Sequence, residues 1–234
     1  MTLEARRMAE TRLGRFGLIT LGAIVTILAV SGSAFVIAGA NPIEAYGAYF
    51  ITPLTREFTL LEVLNKATPI LFTGTAVAIA FRAGYWNIGV EGQLLIGAVA
   101  AAGIGQVVDG WSPFVVLPLM VGAGALAGAL WALVPALLRV KMGIDEVVTT
   151  LLLNPVALLL VQGLLHGPWK DPETGFPESP RIAAAAEVPQ LSEILPFIGR
   201  SRLHLGFVIA VVLIVVAWYV LSRTSTGLRV RAVG

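Results

Sequence analysis

The chain has no cysteine and only two histidines in 234 residues, and 13% of it is charged. Without cysteine there are no disulfides, no thiol nucleophile and no Cys-ligated metal site. His166 and His204 stand apart in one polar segment and read as solvated loop residues rather than metal ligands or a catalytic pair. None of Lys66, Lys141 or Lys170 follows a glycine in the G-x-x-x-x-G-K-[ST] pattern, so ATP cannot be bound that way. No Ser/His/Asp arrangement suggests hydrolysis, and no charge run suggests nucleic-acid binding. A soluble domain averages about a quarter charged residues. The deficit here is the first indication of where this chain folds.

What is present is apolar: 57% of residues are hydrophobic, and the mean hydropathy is +0.86. The charges are segregated and leave six apolar runs, at 16–38, 67–81, 87–105, 113–138, 147–165 and 205–221. That pattern predicts an all-α, polytopic transmembrane helical bundle, because in lipid a helix satisfies its own backbone groups. The run at 67–81 is short. At ~1.5 Å per residue it cannot cross ~30 Å of hydrocarbon, so the helix starts earlier, near Leu60, or is broken near Pro69. The run at 16–38 exceeds the ~7–15 apolar residues of a signal peptide and reads as a retained span, although Ala38-Gly39-Ala40 resembles a cleavage site. The expected organisation is a cytoplasmic segment, 1–15, followed by a membrane domain, 16–234.

Alternating the loops with the N-terminus inside segregates the basic residues. Arg6, Arg7, Arg12, Arg15, Arg82, Arg139, Lys141, Arg223, Arg229 and Arg231 fall inside, against Arg56, Lys66, Lys170, Arg181, Arg200 and Arg202 outside. The Lys/Arg bias sets orientation, so a multi-pass protein with a cytoplasmic N-terminus is expected. Trp86, Trp111, Trp218 and Tyr219 fall at the predicted interfaces, as aromatic belts do. Of two long outer segments, 41–66 has room for a helix on the membrane surface. The other, 166–204, carries six prolines and reads as mostly irregular.

Several polar residues interrupt the spans. Glu91 lies in FRAGYWNIGVEGQLLIG, inside a run that reads as buried helix, where an ionisable group costs a few kcal/mol or more. It is expected to face other helices or a polar path, with Asn87 one turn before it and Gln93 after it. Gly89, Gly92 and Gly97 would let neighbouring backbones approach closely. Gly124-x-x-x-Gly128 is a close-packing motif, either within one bundle or at a dimer face. Asn154-Pro155 predicts a kink in the fifth span, with Asn154 either beside a pathway or in an interhelical hydrogen bond. Asp145-Glu146 either caps that span or contacts a partner.

These segments together resemble one family. FRAGYWNIGVEGQLLIGA, MGIDEVVTTLLLN at 142–154, GPWKDP at 167–172 and TSTGLRVRAVG at 224–234 are similar, in order and spacing, to segments of ABC-transporter permeases of the nucleoside and simple-sugar uptake type. The ribose and branched-chain amino-acid permeases belong to the same broad group. The resemblance implies a permease subunit, not an enzyme, that takes a nucleoside or simple sugar into the cell across the plasma membrane. It implies ABC ATPase subunits that bind the ATP, a second permease subunit and an extracellular substrate-binding protein as partners, with no cofactor on this chain. With it, Asn87, Glu91, Gln93 and Asn154 are the candidate polar positions in or beside the substrate pathway, and Gly227, Arg229 and Arg231 the candidates for the ATPase-facing surface. Family members continue through further helices, so the chain reads as a truncated product or a fragment, and Pro155 stands where an aromatic residue is expected. Two rival readings are a secondary transporter with Glu91 as proton carrier, and a nonfunctional or regulatory membrane fragment.

Overall fold

A computed structural model describes residues 3–195 and 201–234, with side chains from residue 16 onward; Pro196 and Arg200 lie outside the described residues. The regular elements among the described residues are helices: α1 (Leu3–Ile37), α2 (Pro42–Tyr46), α3 (Thr52–Thr55), α4 (Glu57–Arg82), α5 (Val90–Val107), α6 (Pro113–Met142), α7 (Glu146–His166), α8 (Leu191–Ile194), α9 (Leu205–Arg223) and α10 (Ser225–Val233). Six of these are long and apolar enough to cross a membrane: α4, α5, α6, α7, α9, and the 16–37 portion of α1. The short second run is resolved by length: α4 starts at Glu57, before Leu60, and runs unbroken through Pro69. At ~1.5 Å per residue its 26 residues span roughly 39 Å.

The chain forms two compact units, 1–60 and 61–234. In the first, Asn41 caps α2 by accepting the Ile43 N–H, and the chain then turns through a π-helical segment, Gly47–Ile51. Tyr46 reaches back to α1: its hydroxyl hydrogen-bonds Ser31 Oγ at 2.7 Å and donates to the Leu28 carbonyl. Its ring meets Phe35 edge-on at 5.5 Å. The outer segment expected at 41–66 therefore holds short helical turns, followed by the start of α4, rather than one surface helix.

In the second unit, α5 packs on α6 and α7 through glycines. A Cβ on Gly97 would lie 2.9 Å from the Gly124 carbonyl oxygen, and one on Gly128 would lie 3.1 Å from that of Gln93. The Gly124-x-x-x-Gly128 motif thus serves packing within this chain, where missing side chains let two backbones meet. α6 stops at Gly143, whose φ of 68° is readily adopted only without a Cβ. The following residue but one, Asp145, caps α7 by accepting the Val147 N–H at 2.7 Å and the Val148 N–H at 3.3 Å. Capping is therefore what Asp145 does. Beyond α7 the polar segment is mostly irregular, as its prolines require, with one 3-10 turn, Ala184–Ala186, and the four-residue α8. It folds over the ends of α5 and α6: Ala183 N–H donates to the Gly105 carbonyl at 2.8 Å, and Ala186 joins Val108 and Val116 in a buried apolar cluster.

Candidate functional site

The segment between α4 and α5, residues 83–89, is not helical. The N–H groups of Ala83, Gly84 and Tyr85 turn back onto carbonyls at the end of α4, and those of Ile88 and Gly89 are left to side chains. Asn87 begins this locally. Its Oδ1 accepts the Gly89 N–H at 3.0 Å and Gln93 Nε2–H at 3.2 Å, while its Nδ2 donates to Gln93 Oε1 at 3.1 Å. Helix α7 supplies the rest from two residues one turn apart. Thr150 Oγ1 accepts the Ile88 N–H at 3.1 Å and donates to the Glu146 carbonyl. Asn154 Oδ1 accepts the Gly92 N–H at 2.9 Å, and its Nδ2 donates to the Ile88 carbonyl at 3.0 Å. Gly92 lies in the first turn of α5, so Asn154 acts as a helix cap delivered from a neighbouring helix.

Glycine makes that approach possible. A Cβ on Gly89 would lie 2.8 Å from the Thr150 carbonyl oxygen, and one on Gly92 would lie 3.0 Å from Asn154 Oδ1 and 3.1 Å from Trp131 Nε1. Helix α7 continues through Pro155 without interruption.

At the same end of α7, Arg139 Nε sits 3.1 Å from Glu146 Oε2, and the glutamate side chain is only 8% exposed. The Tyr85 hydroxyl is buried with no hydrogen-bond partner among the described residues. Burial first, and the negative charge of Glu146 second, push the Tyr85 phenol above its ordinary pKa. Helix α10 closes this end. Thr224 Oγ1 caps it by accepting the Gly227 N–H at 3.2 Å. Gly227 is buried, and a Cβ there would strike the Val220 and Leu221 carbonyls of α9. The far end of α10 meets the 83–84 turn: Gly84, at φ +70°, has its Cβ direction 2.9 Å from the Gly234 Cα.

Residues 59–234 match a protein family described as the branched-chain amino acid transport system / permease component. The chain belongs to that family. This permease chain is 40% identical over 216 residues to a glucose ABC transporter permease protein of Haloferax volcanii, covering 90% of the chain and 56% of the relative. It is 32% identical over 219 residues to a guanosine ABC transporter permease protein of Bacillus subtilis, covering 93% and 61%. A nucleoside ABC transporter permease protein of Lactococcus lactis is 27% identical over 199 residues, covering 84% and 54%. The permease chain thus spans a little over half the length of these relatives. No solved structure matches it.

The expected site residues of the permease fall into three groups. Asn87, Gln93 and Asn154 come together around the start of α5, and Asn154 makes the interhelical hydrogen bond that was one of its two readings. Glu91 stands apart from them. It lies in the first turn of α5 and is exposed in this chain, not buried among helices. Because α5 begins at Val90, Asn87 is also not on a shared helix face with it. Gly227, Arg229 and Arg231 form the third group, on α10: both arginines are exposed, and Arg231 Nε donates to the Gly227 carbonyl at 3.3 Å. Sequence reasoning missed Thr150. The available signal was its spacing: one turn before Asn154, it shares that residue's helix face.

Proposed function

We propose that this chain forms the membrane-spanning part of an ABC importer that moves a nucleoside or simple sugar into the cell, driven by ATP hydrolysed on partner ATPase subunits. The observation that carries the reading is its identity to glucose and guanosine permeases across nine-tenths or more of its length. On this reading the N-terminus is cytoplasmic, and a second permease subunit and an extracellular binding protein complete the assembly. Asn87, Gln93 and Asn154 hold the 83–92 segment in shape beside the pathway, and Glu91 presents an exposed carboxylate from it. Gly227 keeps α10 tight against α9 and turns Arg229 and Arg231 towards the ATPase. The test is uptake of radiolabelled guanosine and of glucose by proteoliposomes carrying the permease with its ATPase and binding-protein partners. Uptake that requires ATP and saturates supports the reading. Saturable flux through the permease without ATP or partners overturns it.

A further inference from the structure

Helix α4 meets the start of α9 at Thr68, whose Cγ2 lies 3.8 Å from the Cβ direction of Gly206. Towards their C-terminal ends the two helices flank a half-open groove of about 350 Å³. Small residues keep it open: Gly74 and Ala78 on α4, and Ala217 on α9. A Cβ on Gly74 would meet nothing within 4 Å. The wall is apolar, because the Thr75 hydroxyl that lines it donates to the Leu71 carbonyl at 2.6 Å and has no proton left for a ligand. On α4 the groove runs from Ile70 to Arg82, roughly 18 Å at ~1.5 Å per residue. That is close to half of the ~30 Å hydrocarbon core, the depth of one leaflet. Arg82 ends the run and is exposed. The ion pair among the described residues is Arg139 with Glu146, so Arg82 has no counter-charge there. Trp218, also exposed, lines the groove from α9.

We infer that this groove seats one acyl chain of an anionic phospholipid, with Arg82 against the headgroup phosphate. Its volume spread over its length gives a mean section of roughly 20 Å². A helix ~10–12 Å across has a section of roughly 80–110 Å², so an extended hydrocarbon chain enters the groove and a helix does not. The apolar wall suits the chain and rejects a polar solute, which would leave its hydroxyls unpaired. The single charge stands at one end, one leaflet's depth from the other, as a phospholipid requires. An arginine without a counter-charge favours a headgroup of net negative charge over one that carries its own cation. Basic pockets between membrane helices on the cytoplasmic side bind such headgroups. In the N-inside topology Arg82 lies on that side, where anionic lipids attract arginine.

The lipid seat is independent of which substrate is carried, and Trp218 reports on it. The purified complex is reconstituted in phosphatidylcholine vesicles containing brominated phosphatidylglycerol or brominated phosphatidylcholine. Quenching of tryptophan fluorescence is measured with and without Trp218→Phe, and the difference is the Trp218 signal. Phosphatidylglycerol should occupy the groove about fivefold more tightly than phosphatidylcholine, the gain that one arginine near the membrane surface confers. Arg82→Gln should bring the two lipids to near equality, and Arg82→Lys should keep most of the preference. Gly74→Leu places a side chain in the open groove and should cut Trp218 quenching by both lipids roughly in half. Equal quenching of the unmodified protein by the two lipids overturns the site. So does a preference that survives Arg82→Gln, or quenching that Gly74→Leu leaves untouched. Absence of Trp218 quenching by either lipid also overturns it, and shows that protein covers the groove instead. Should Arg82→Gln fail to assemble, the lipid comparison on the unmodified protein and on Gly74→Leu still decides.

Discussion

Replacing Asn154 tests the central feature of the site, a helix start held by a side chain from another helix. Asn154→Ala removes two hydrogen bonds, of 2.9 Å to Gly92 N and 3.0 Å to the Ile88 carbonyl, and leaves both backbone groups unpaired. Orphaning a buried polar group costs roughly 1–3 kcal/mol, whereas side-chain hydrogen bonds measured in a membrane protein average about 0.6 kcal/mol. With Gly89 buried and Asn154 itself half-buried, an intermediate loss of about 2 kcal/mol is expected, which is ~30-fold in an opening equilibrium. Asn154→Asp retains the acceptor for Gly92 and should lose about half as much. Thr150→Val keeps the shape and removes the acceptor for Ile88 N–H, at about 1 kcal/mol. Because both residues hold one segment, the double variant should lose less than the sum. Hydrogen exchange over peptides covering 83–93, measured on the purified complex in lipid, reads this directly. Exchange in Asn154→Ala indistinguishable from the unmodified protein would refute the cap.

Four further outcomes follow from the geometry. Gly124→Val should destabilise α5–α6 packing by roughly 1–3 kcal/mol, since its Cβ meets the Gly97 carbonyl at 3.1 Å, whereas Gly122→Ala, with nothing within 4 Å, should be silent in thermal unfolding; equal effects would reject the packing account. Folding favours the protonated Tyr85 phenol, so its contribution is complete below about pH 10 and is lost as pH rises through the raised folded value. Tyr85→Phe should hold stability at pH 7 and flatten that alkaline loss, and a steeper loss in the variant would contradict the burial argument. Cysteines placed at Ser179 and Ser222 should label with an impermeant thiol reagent from outside and only after permeabilisation, respectively; labelling of both in intact cells would break the six-span topology. Gly227→Ala should push α10 off α9 and lower substrate-stimulated ATP hydrolysis of the complex about tenfold without loss of membrane protein, and undiminished stimulation would remove α10 from the coupling route.

The spans were legible because hydropathy and length decide them, and five of the six differ from expectation by only a few residues at either end. The second was hidden by Glu57, Glu62 and Lys66, which lower the hydropathy of a helix that nevertheless runs from residue 57. The glycine contacts at Gly89, Gly92 and Gly97 were legible too, since a missing Cβ inside a span has few uses besides close approach. The helix around Glu91 starts later than expected for an identifiable reason. An apolar run starting at Asn87 reads as helix throughout, but the stretch before Val90 is not helical, and Thr150 and Asn154 of α7 answer its polar groups. Nothing local to 83–92 announces a partner more than sixty residues away. Only the i, i+4 pair Thr150 and Asn154 carried the message, and half of it, Asn154, was noticed.

The placement of Glu91 also bears on the proton-carrier alternative. A carboxylate that ferries protons must be shut away from bulk solvent at one stage and bonded to something that changes its partner. Glu91 is exposed in this chain, and an acidic residue in a first helical turn has a sufficient reason to be there in the helix dipole. On the importer reading, the energy for transport enters elsewhere. The contacts offer one physically continuous route. Helix α10 abuts the 83–84 turn through Gly234, that turn leads into the segment held by Thr150 and Asn154, and both of those residues stand on α7. A displacement of α10 by an ATPase would be felt at α9, against which Gly227 packs, and at the 83–92 segment, which cannot move without releasing its bonds to α7. On the importer reading, the hydrogen bonds of Asn154 are the contacts that such a displacement would have to break.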